Sequence, residues 1–174
     1  DHICEYQKQR HLLMIERPRG TGKSSLFTIP AICFVHAHLP EAAMLLMSAE
    51  FERMATKFSS AIRQHWEGQE GGKLIQLFGQ HQSDTKWTDE KMMSARRTRK
   101  AGDPTLTTTS VEKGATGYHV KFDVIDDPTT QALMRKNGDG WNDKVWSEFQ
   151  EANTVVDKDG CPALVYTRYG QSDV

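Results

Sequence analysis

Two short, continuous apolar segments near the start of the chain predict the first strands of the fold. His11–Glu16 (HLLMIE) runs into a loop rich in proline and glycine, and Ala43–Ala49 (AMLLMSA) is bounded by turn residues as well. Apolar runs of this length are typical of strands buried in a parallel sheet. Between them the sequence predicts a helix from Ser24 to about Leu39. Pro30 removes one hydrogen bond from that helix, which predicts a kink or an early end.

The remaining elements alternate between helix and strand. Apolar residues between Phe51 and Trp66 recur every three or four positions, which predicts an amphipathic helix that ends before the Gly71–Gly72 pair. A second helix is predicted from Asn142 to about Asn153. Strands are predicted at Leu74–Phe78, Met92–Ala95, Thr105–Val111, Val120–Asp127 and Ala163–Arg168. This order predicts an α/β fold of three layers, with a mainly parallel central sheet flanked by helices.

The composition is that of an ordinary globular domain. Of the 174 residues, 37% are hydrophobic and 26% are charged, and the formal net charge is −1. These values argue against a disordered chain and against a globally basic nucleic-acid binder. No apolar segment reaches the roughly 20 residues that a membrane span requires, so no membrane association is expected. Because the chain starts at Asp1 and stops after a predicted strand and turn, we expect residues 1–174 to be one domain of a longer protein.

The loop after the first strand carries a phosphate-binding pattern. Residues 17–24 (RPRGTGKS) lie between a predicted strand and a predicted helix, the context in which Gly-Lys-Ser forms a P-loop. Gly20 and Gly22 allow the backbone amides to approach the phosphates of a nucleotide. Lys23 reaches the outer phosphates, and the hydroxyl of Ser24 ligates Mg²⁺. An ordinary surface turn is the alternative for this tripeptide, but the flanking strand and helix favour nucleotide binding.

Two arginines in this loop allow two interpretations. Arg19 is close enough to the γ-phosphate position to stabilise charge on a transferring phosphoryl group, a role worth roughly 10³ to 10⁵ in rate. Arg17 stands where the usual pattern has its first glycine. Alternatively, either arginine pairs with a neighbouring carboxylate. The loop by itself leaves both interpretations open.

Two adjacent carboxylates end a predicted central strand. Asp126 and Asp127 precede Pro128, and two neighbouring carboxylates repel one another unless a cation or a proton relieves them. Mg²⁺ does so if Asp126 helps to hold the metal while Asp127 activates the attacking water. A simple turn is the alternative, because Asp and Pro are common in turns. The phosphate-binding pattern upstream favours the metal site.

These segments, taken in order, resemble the large terminase subunits of tailed bacteriophages over nearly the whole chain. Residues 18–24 look like the arginine-containing Walker A loop of that family, and residues 48–63 look like its next strand and helix. Residues 116–128 resemble its Walker B region. Residues 167–173 are similar to the coupling segment that ends its ATPase domain.

The resemblance implies a DNA-packaging ATPase that binds ATP and Mg²⁺. The implied nucleotide-binding residues are Arg17, Pro18, Arg19, Gly20, Thr21, Gly22, Lys23, Ser24, Ser25, Thr167 and Arg168. Asp127, Arg19 and Lys23 take the catalytic roles, with Arg19 as an arginine finger, and Ser24 and Asp126 hold the metal. Thr167 senses the γ-phosphate. The nuclease domain of the family would lie downstream, so nuclease activity is not expected here.

The same resemblance implies the partners and the setting of the protein. These are double-stranded DNA, the viral portal and the small terminase subunit, with the chain in a homo-oligomeric ring in the host cell cytoplasm.

The dense basic run Arg96–Lys100 could contact DNA, although a solvated loop is favoured. Another P-loop DNA translocase such as a helicase, or a nucleotide-binding scaffold without turnover, remains an alternative.

Overall fold

The fold consists of seven strands and five helices within the described residues. The computed structural model describes residues 12–50, 55–67, 72–99, 102–138 and 140–167. The elements are β1 (Leu13–Glu16), a π-helical turn (Ser24–Thr28), α1 (Ile29–His38), β2 (Met44–Ser48), α2 (Thr56–Trp66), α3 (Gly72–Phe78), β3 (Gln82–Trp87), β4 (Lys91–Ser94), β5 (Leu106–Ser110), β6 (Val120–Asp126), α4 (Gln131–Asn137), α5 (Gly140–Val155) and β7 (Val156–Tyr166). None of the helices in these ranges is long and apolar enough to cross a lipid bilayer.

The strands form one mixed sheet in the order β1-β7-β6-β2-β5-β4-β3. The first five strands of this order are mutually parallel, and β4 and β3 are added antiparallel at one edge. The predicted α/β fold with a mainly parallel sheet is therefore confirmed. Parallel strands bring their carboxyl ends to a common edge, and loops at that edge are the usual place for a ligand site in such sheets.

Helices cover both faces of the sheet, an arrangement compatible with three layers. Alternate residues of β2 point to opposite faces, so Leu45 and Met47 pack towards α4 and α5, while Met44 and Leu46 pack towards α1 and α2. All five residues of β2 are buried. This explains why the strand reads as a continuous apolar run rather than an alternating one.

The residues before Pro30 form a π-helical turn, and the early end that was one alternative predicted at Pro30 does not occur. Ile29 donates its backbone N–H to the carbonyl of Ser24, five residues earlier, and α1 continues without a break to His38. The wider turn accommodates a proline ring that would otherwise crowd the carbonyl four residues before it. The helix therefore does not end early at Pro30, and the helical segment begins directly after the glycine-containing loop.

The prediction of a strand at Leu74–Phe78 was wrong, because these residues lie in the helix α3. Leu74 and Phe78 are four residues apart, which places them on one face of a helix, and both pack against the apolar cluster beneath α1 and α2. A run of only five residues does not by itself distinguish a strand from a buried helical segment. Gly72 begins this helix instead of ending the helical region.

Two elements were not predicted. β3 has a largely polar sequence, QSDTKW, because it is the outermost strand of the sheet among the described residues. α4 has only seven residues, but its ends carry recognisable signals: the hydroxyl of Thr130 accepts a hydrogen bond from Leu133 N–H, and Gly138 follows the helix with a φ of 60°.

β7 begins seven residues before its predicted start at Ala163. Val120 of β6 is paired with Val156, whereas Phe122 is paired with Cys161, so β7 contains extra residues between these two pairs. The extra residues form an irregularity that interrupts the hydrophobic pattern of the strand. Only the regular part after Cys161 reads as a strand in the sequence.

Candidate functional site

The carboxyl ends of β1, β7 and β6 meet at one edge of the sheet, with β7 in the middle. Arg17, the first residue after β1, donates its N–H to the carbonyl of Tyr166 at 3.1 Å. Asp127, the first residue after β6, donates its N–H to the carbonyl of Val165 at 2.9 Å. The glycine-containing loop and the acidic pair are thus attached to the same strand from its two sides, although about a hundred residues separate them in the chain.

The loop 17–23 is a compact turn that exposes its backbone. The N–H and the hydroxyl of Thr21 both donate to the carbonyl of Pro18, at 3.4 Å and 2.8 Å. Gly20 and Gly22 have φ angles of 81° and 70°, which only glycine adopts without strain. Loops with this alternation of backbone conformation turn successive N–H groups to one side and form concave sites for anions.

Lys23 lies at the start of the helix and is held by two partners. Its Nζ lies 2.6 Å from Oδ1 of Asp127 and donates a hydrogen bond of 2.8 Å to the hydroxyl of Thr167. The side chains of Lys23 and Asp127 are only 8% and 17% exposed. Three segments that are far apart in the sequence therefore converge on one ammonium group.

Asp127 has a strained backbone. Among the described residues, it is the single non-glycine residue with a positive φ, at 48°. Its carbonyl accepts the N–H of Ala49 at 3.2 Å, and the next carbonyl, that of Pro128, accepts Nε1 of the buried Trp141 at 3.2 Å. Backbone strain of this kind persists where the surroundings fix the conformation, and it is frequent at functional sites. Here it turns the carboxylate of Asp127 towards Lys23.

Asp126 is completely buried on the α1 side of the sheet. Burial raises the pKa of its carboxyl to about 6, and the hydroxyls of Ser24 and Thr28 partly offset this effect. Neither carboxylate oxygen makes a hydrogen bond of ordinary length and angle with the described residues. Such a carboxylate is only partly compensated for its lost hydration, so a cation at this position would stabilise it strongly.

The oxygen atoms around Asp126 are suited to a hard cation. Its carboxylate lies beside the hydroxyls of Ser24 and Thr28, and Mg²⁺ prefers oxygen ligands of this kind. Within the described ranges, no group of three or more His, Cys, Asp or Glu side chains could hold a metal by itself. Mg²⁺ in nucleotide sites commonly takes only one or two ligands from protein carboxylates and the others from phosphates and water. The donor set therefore fits a metal that arrives with a nucleotide.

The two loop arginines lie at the surface. Arg17 and Arg19 are exposed, and neither forms an ion pair with a carboxylate in the part of the chain that the structure describes. Ser25 is exposed as well. The predicted role of Arg19 at the γ-phosphate stays a prediction, and Arg168 lies outside the described residues.

The basic run is engaged in contacts within the protein. Arg96 donates to the carbonyl of Phe78, and Arg97 donates to the carbonyl of Asp103 and lies 3.7 Å from the carboxylate of Glu41. The side chain of Arg97 is only 6% exposed. These contacts hold the segment against the body of the protein, and two of its guanidinium groups already have acceptors. Lys100 is outside the described residues.

The structure brings together Lys23, Ser24, Asp126, Asp127 and Thr167, all of which were selected from the sequence. Two completely buried residues near Asp126, Thr28 and Ser48, were not identified from the sequence. Thr28 follows Ser24 by four residues, so the helical spacing could have indicated a second hydroxyl on the same face. No local pattern points to Ser48, which reaches the site because β2 pairs with β6.

Comparison with known proteins does not assign this chain to a family, so the functional proposal rests on the geometry of the site. A scan against protein-family models finds no match to this chain, and a search of curated proteins finds none either.

Proposed function

We propose that this domain binds ATP with Mg²⁺ and hydrolyses it. The observation that carries the proposal is the convergence of Lys23, Asp127 and Thr167 beside a glycine-containing loop that opens a helix. A strand, a glycine-rich turn and a helix that begins with Lys-Ser are the structural context that a phosphate-binding loop requires. The buried Asp126 beside Ser24 adds the carboxylate and hydroxyl expected next to a nucleotide-bound metal.

The proposed hydrolysis divides the roles among these side chains. Backbone amides of the loop and the ammonium of Lys23 hold the outer phosphates. Asp127 accepts a proton from the attacking water, whose oxygen bonds to the γ-phosphorus while the bond to the β-phosphate oxygen breaks and ADP leaves. Arg19 stabilises the negative charge on the transferring group. Thr167 senses whether the γ-phosphate is present, because its hydroxyl already contacts Lys23.

Ser24 and Asp126 are the residues that would hold Mg²⁺. When bound, the metal neutralises charge on the phosphate oxygens and so favours phosphoryl transfer. The chain's own contribution is to keep both oxygen ligands at the start of the helix and the end of β6. Thr28 supports Asp126 from the next helical turn.

We further propose that this ATPase is the motor domain of a DNA-packaging terminase of the tailed-bacteriophage kind. The support is the order of the matching segments: the arginine-containing loop, the Asp-Asp strand end and the Thr-Arg segment after β7. On this proposal the domain works in a ring with other copies of the chain, together with the portal and the small terminase subunit, on double-stranded DNA in the host cell cytoplasm.

One observation favours a second candidate, a nucleotide-binding scaffold without turnover. Lys23 and Asp127 form an ion pair at 2.6 Å, so this carboxylate oxygen is already engaged and is not free to contact an attacking water. If nucleotide binding left this pair intact, the site would bind without hydrolysing. The two candidates differ in what happens to Asp127 after ATP is bound.

The experiment is single-turnover hydrolysis of ATP by the wild type and by Lys23→Ala, in parallel with a binding measurement. We expect Mg²⁺-dependent hydrolysis by the wild type, and in Lys23→Ala loss of hydrolysis together with weaker but still measurable binding. Lys73→Ala, at an exposed position of α3, is the matched control and should behave as the wild type. ATP binding without turnover by the wild type would support the scaffold, and equal binding by wild type and Lys23→Ala would refute the phosphate site.

A further inference from the structure

We infer that the ion pair between Lys23 and Asp127 is a latch that keeps the catalytic carboxylate neutralised until a nucleotide phosphate displaces it from Lys23. The inference rests on the proposed function, since it describes the regulation of the same site. In the closed latch, the two groups that phosphate binding and water activation require are occupied with each other. Binding of the triphosphate opens it.

The geometry supports a direct competition for Lys23. A single ammonium group faces Asp127 at 2.6 Å and Thr167 at 2.8 Å, and only 8% of its side chain is exposed. With two close partners and little access to water, Lys23 cannot reach the phosphates without giving up at least one contact. Asp127 is the anion of the two, so it is the partner that competes with the negatively charged phosphate.

The strained backbone of Asp127 supports the same conclusion. Its positive φ directs the carboxylate across the end of β7 towards the loop, and the hydrogen bonds to Val165 and from Ala49 hold it there. A residue with ordinary extended backbone at this position would continue the direction of β6 instead. The conformation thus maintains an ion pair that places the carboxylate next to the phosphate-binding side chain.

The latch links substrate binding to base activation. While Lys23 is paired with Asp127, the ammonium occupies the carboxylate oxygen that would otherwise be free to accept a hydrogen bond from water. Once the phosphate takes over Lys23, the carboxylate becomes the acceptor nearest to the γ-phosphate position. Thr167 contacts the same ammonium at 2.8 Å, so a displacement of Lys23 also changes the contact at the end of β7.

The test is a double-mutant cycle in nucleotide binding, with wild type, Lys23→Ala, Asp127→Asn and the double variant. Binding of a non-hydrolysable ATP analogue is measured in EDTA, so that neither the metal nor turnover contributes. Asparagine tolerates a positive φ as well as aspartate does, so the substitution preserves the backbone and removes only the charge. Asp143→Asn, at an exposed position of α5, is the matched control, because it removes one carboxylate charge away from the ion pair and should bind the analogue as the wild type does.

We expect Asp127→Asn to bind the analogue about tenfold tighter than the wild type, as expected when a competing charge-assisted contact is removed. In the Lys23→Ala background the same substitution should change the affinity by less than about twofold. An equal gain in both backgrounds, or no gain at all, overturns the latch while leaving the ATPase proposal intact. A wild type that binds no nucleotide overturns the proposed function and the latch together.

Discussion

Ser48 and Asp126 lie side by side on the adjacent strands β2 and β6, in register and completely buried. The hydroxyl oxygen of Ser48 and both carboxylate oxygens of Asp126 are without ordinary hydrogen bonds to the described residues. Two neighbouring polar side chains in this condition destabilise the sheet, because buried polar groups without partners cost about 1–3 kcal/mol each. If this position is a site for a cation that arrives with a ligand, the unpartnered oxygens of Ser48 and Asp126 are explained by that role.

The first prediction concerns Asp126→Asn. Burial raises the pKa of Asp126 to about 6, so at pH 8 the folded protein carries a desolvated carboxylate. Replacing it with a neutral amide should increase the free energy of unfolding by about 2 kcal/mol at pH 8. The same change should abolish the enhancement of ATP binding by Mg²⁺. Urea unfolding and nucleotide binding with and without Mg²⁺ measure the two effects.

Ser48→Ala tests whether Mg²⁺-dependent binding needs the carboxylate of Asp126 alone or also the hydroxyl packed beside it. It removes an unpartnered hydroxyl beside Asp126 but leaves the carboxylate, so Mg²⁺-dependent binding should remain. If Asp126→Asn destabilised the protein and left the effect of Mg²⁺ unchanged, Asp126 would be a structural residue and the proposed metal site would be wrong.

The sequence predicted the components of the site better than their contacts. Lys23 and Ser24 were identified because a strand, a glycine-rich turn and a helix are local features. Asp126 was placed at a strand end for the same reason. The approach of Thr167 to Lys23 depends on β7 lying between β1 and β6, a strand order that no local pattern encodes. The pairing of Lys23 with Asp127 was not predicted, because it also depends on the positive φ of Asp127.

The fold was predictable where burial on both faces gave long apolar runs. β2 was located within one residue at each end for this reason, and the predicted range of β6 exceeds the observed one by a single residue. Leu74–Phe78 was assigned wrongly because a five-residue apolar run fits either a strand or one face of a short helix. β3 was not predicted, because an edge strand needs little apolar surface and its sequence is largely polar. Tertiary packing, rather than local preference, decides the structure of such segments.

A second prediction concerns the buried ring cluster beneath α1. His36 is completely buried, and its ring centroid lies 5.0 Å from that of His81 and 5.1 Å from that of Trp66. Burial, followed by the charge of His81, lowers the pKa of His36 to about 3. Neither ring nitrogen of His36 has a hydrogen-bond partner among the described residues. The folded protein therefore keeps this imidazole neutral in acid, whereas the unfolded chain protonates it.

The consequence is a loss of stability in acid that His36→Phe should reduce. Because the folded pKa is lowered, the stability contributed by His36 is complete above about pH 6.5 and is lost as the pH falls towards 3. Between pH 6.5 and 4.5 the wild type should lose roughly 2–3 kcal/mol more than His36→Phe in urea unfolding. His38→Phe, on the exposed face of the same helix, is the matched control. Parallel pH profiles of wild type and His36→Phe would refute the assignment.

The third prediction concerns Asp123, an acid in the middle of β6 that the proposed chemistry does not use. It is 1% exposed, lies in register between Leu45 and Pro162, and its Oδ1 has no hydrogen-bond partner among the described residues. Burial raises its pKa to about 8, and the N–H of Val124 offsets this only in part. Asp123 is therefore protonated in the folded protein at neutral pH and ionised in the unfolded chain.

The pH dependence that follows has the opposite sign to that of His36. Below about pH 4, Asp123 is protonated in both the folded and the unfolded state. Between about pH 4 and 8 only the unfolded state ionises, so the free energy of unfolding falls as the pH rises. Above about pH 8 the folded state ionises as well, and the fall ends. Asp123→Asn mimics the protonated acid and should be more stable than the wild type by about 4 kcal/mol at pH 8.5, with little difference at pH 4. The difference in free energy of unfolding between the two proteins isolates Asp123 from the histidines. The exposed Asp143→Asn serves as the control, and a pH-independent difference would mean that Asp123 is ionised in the folded protein.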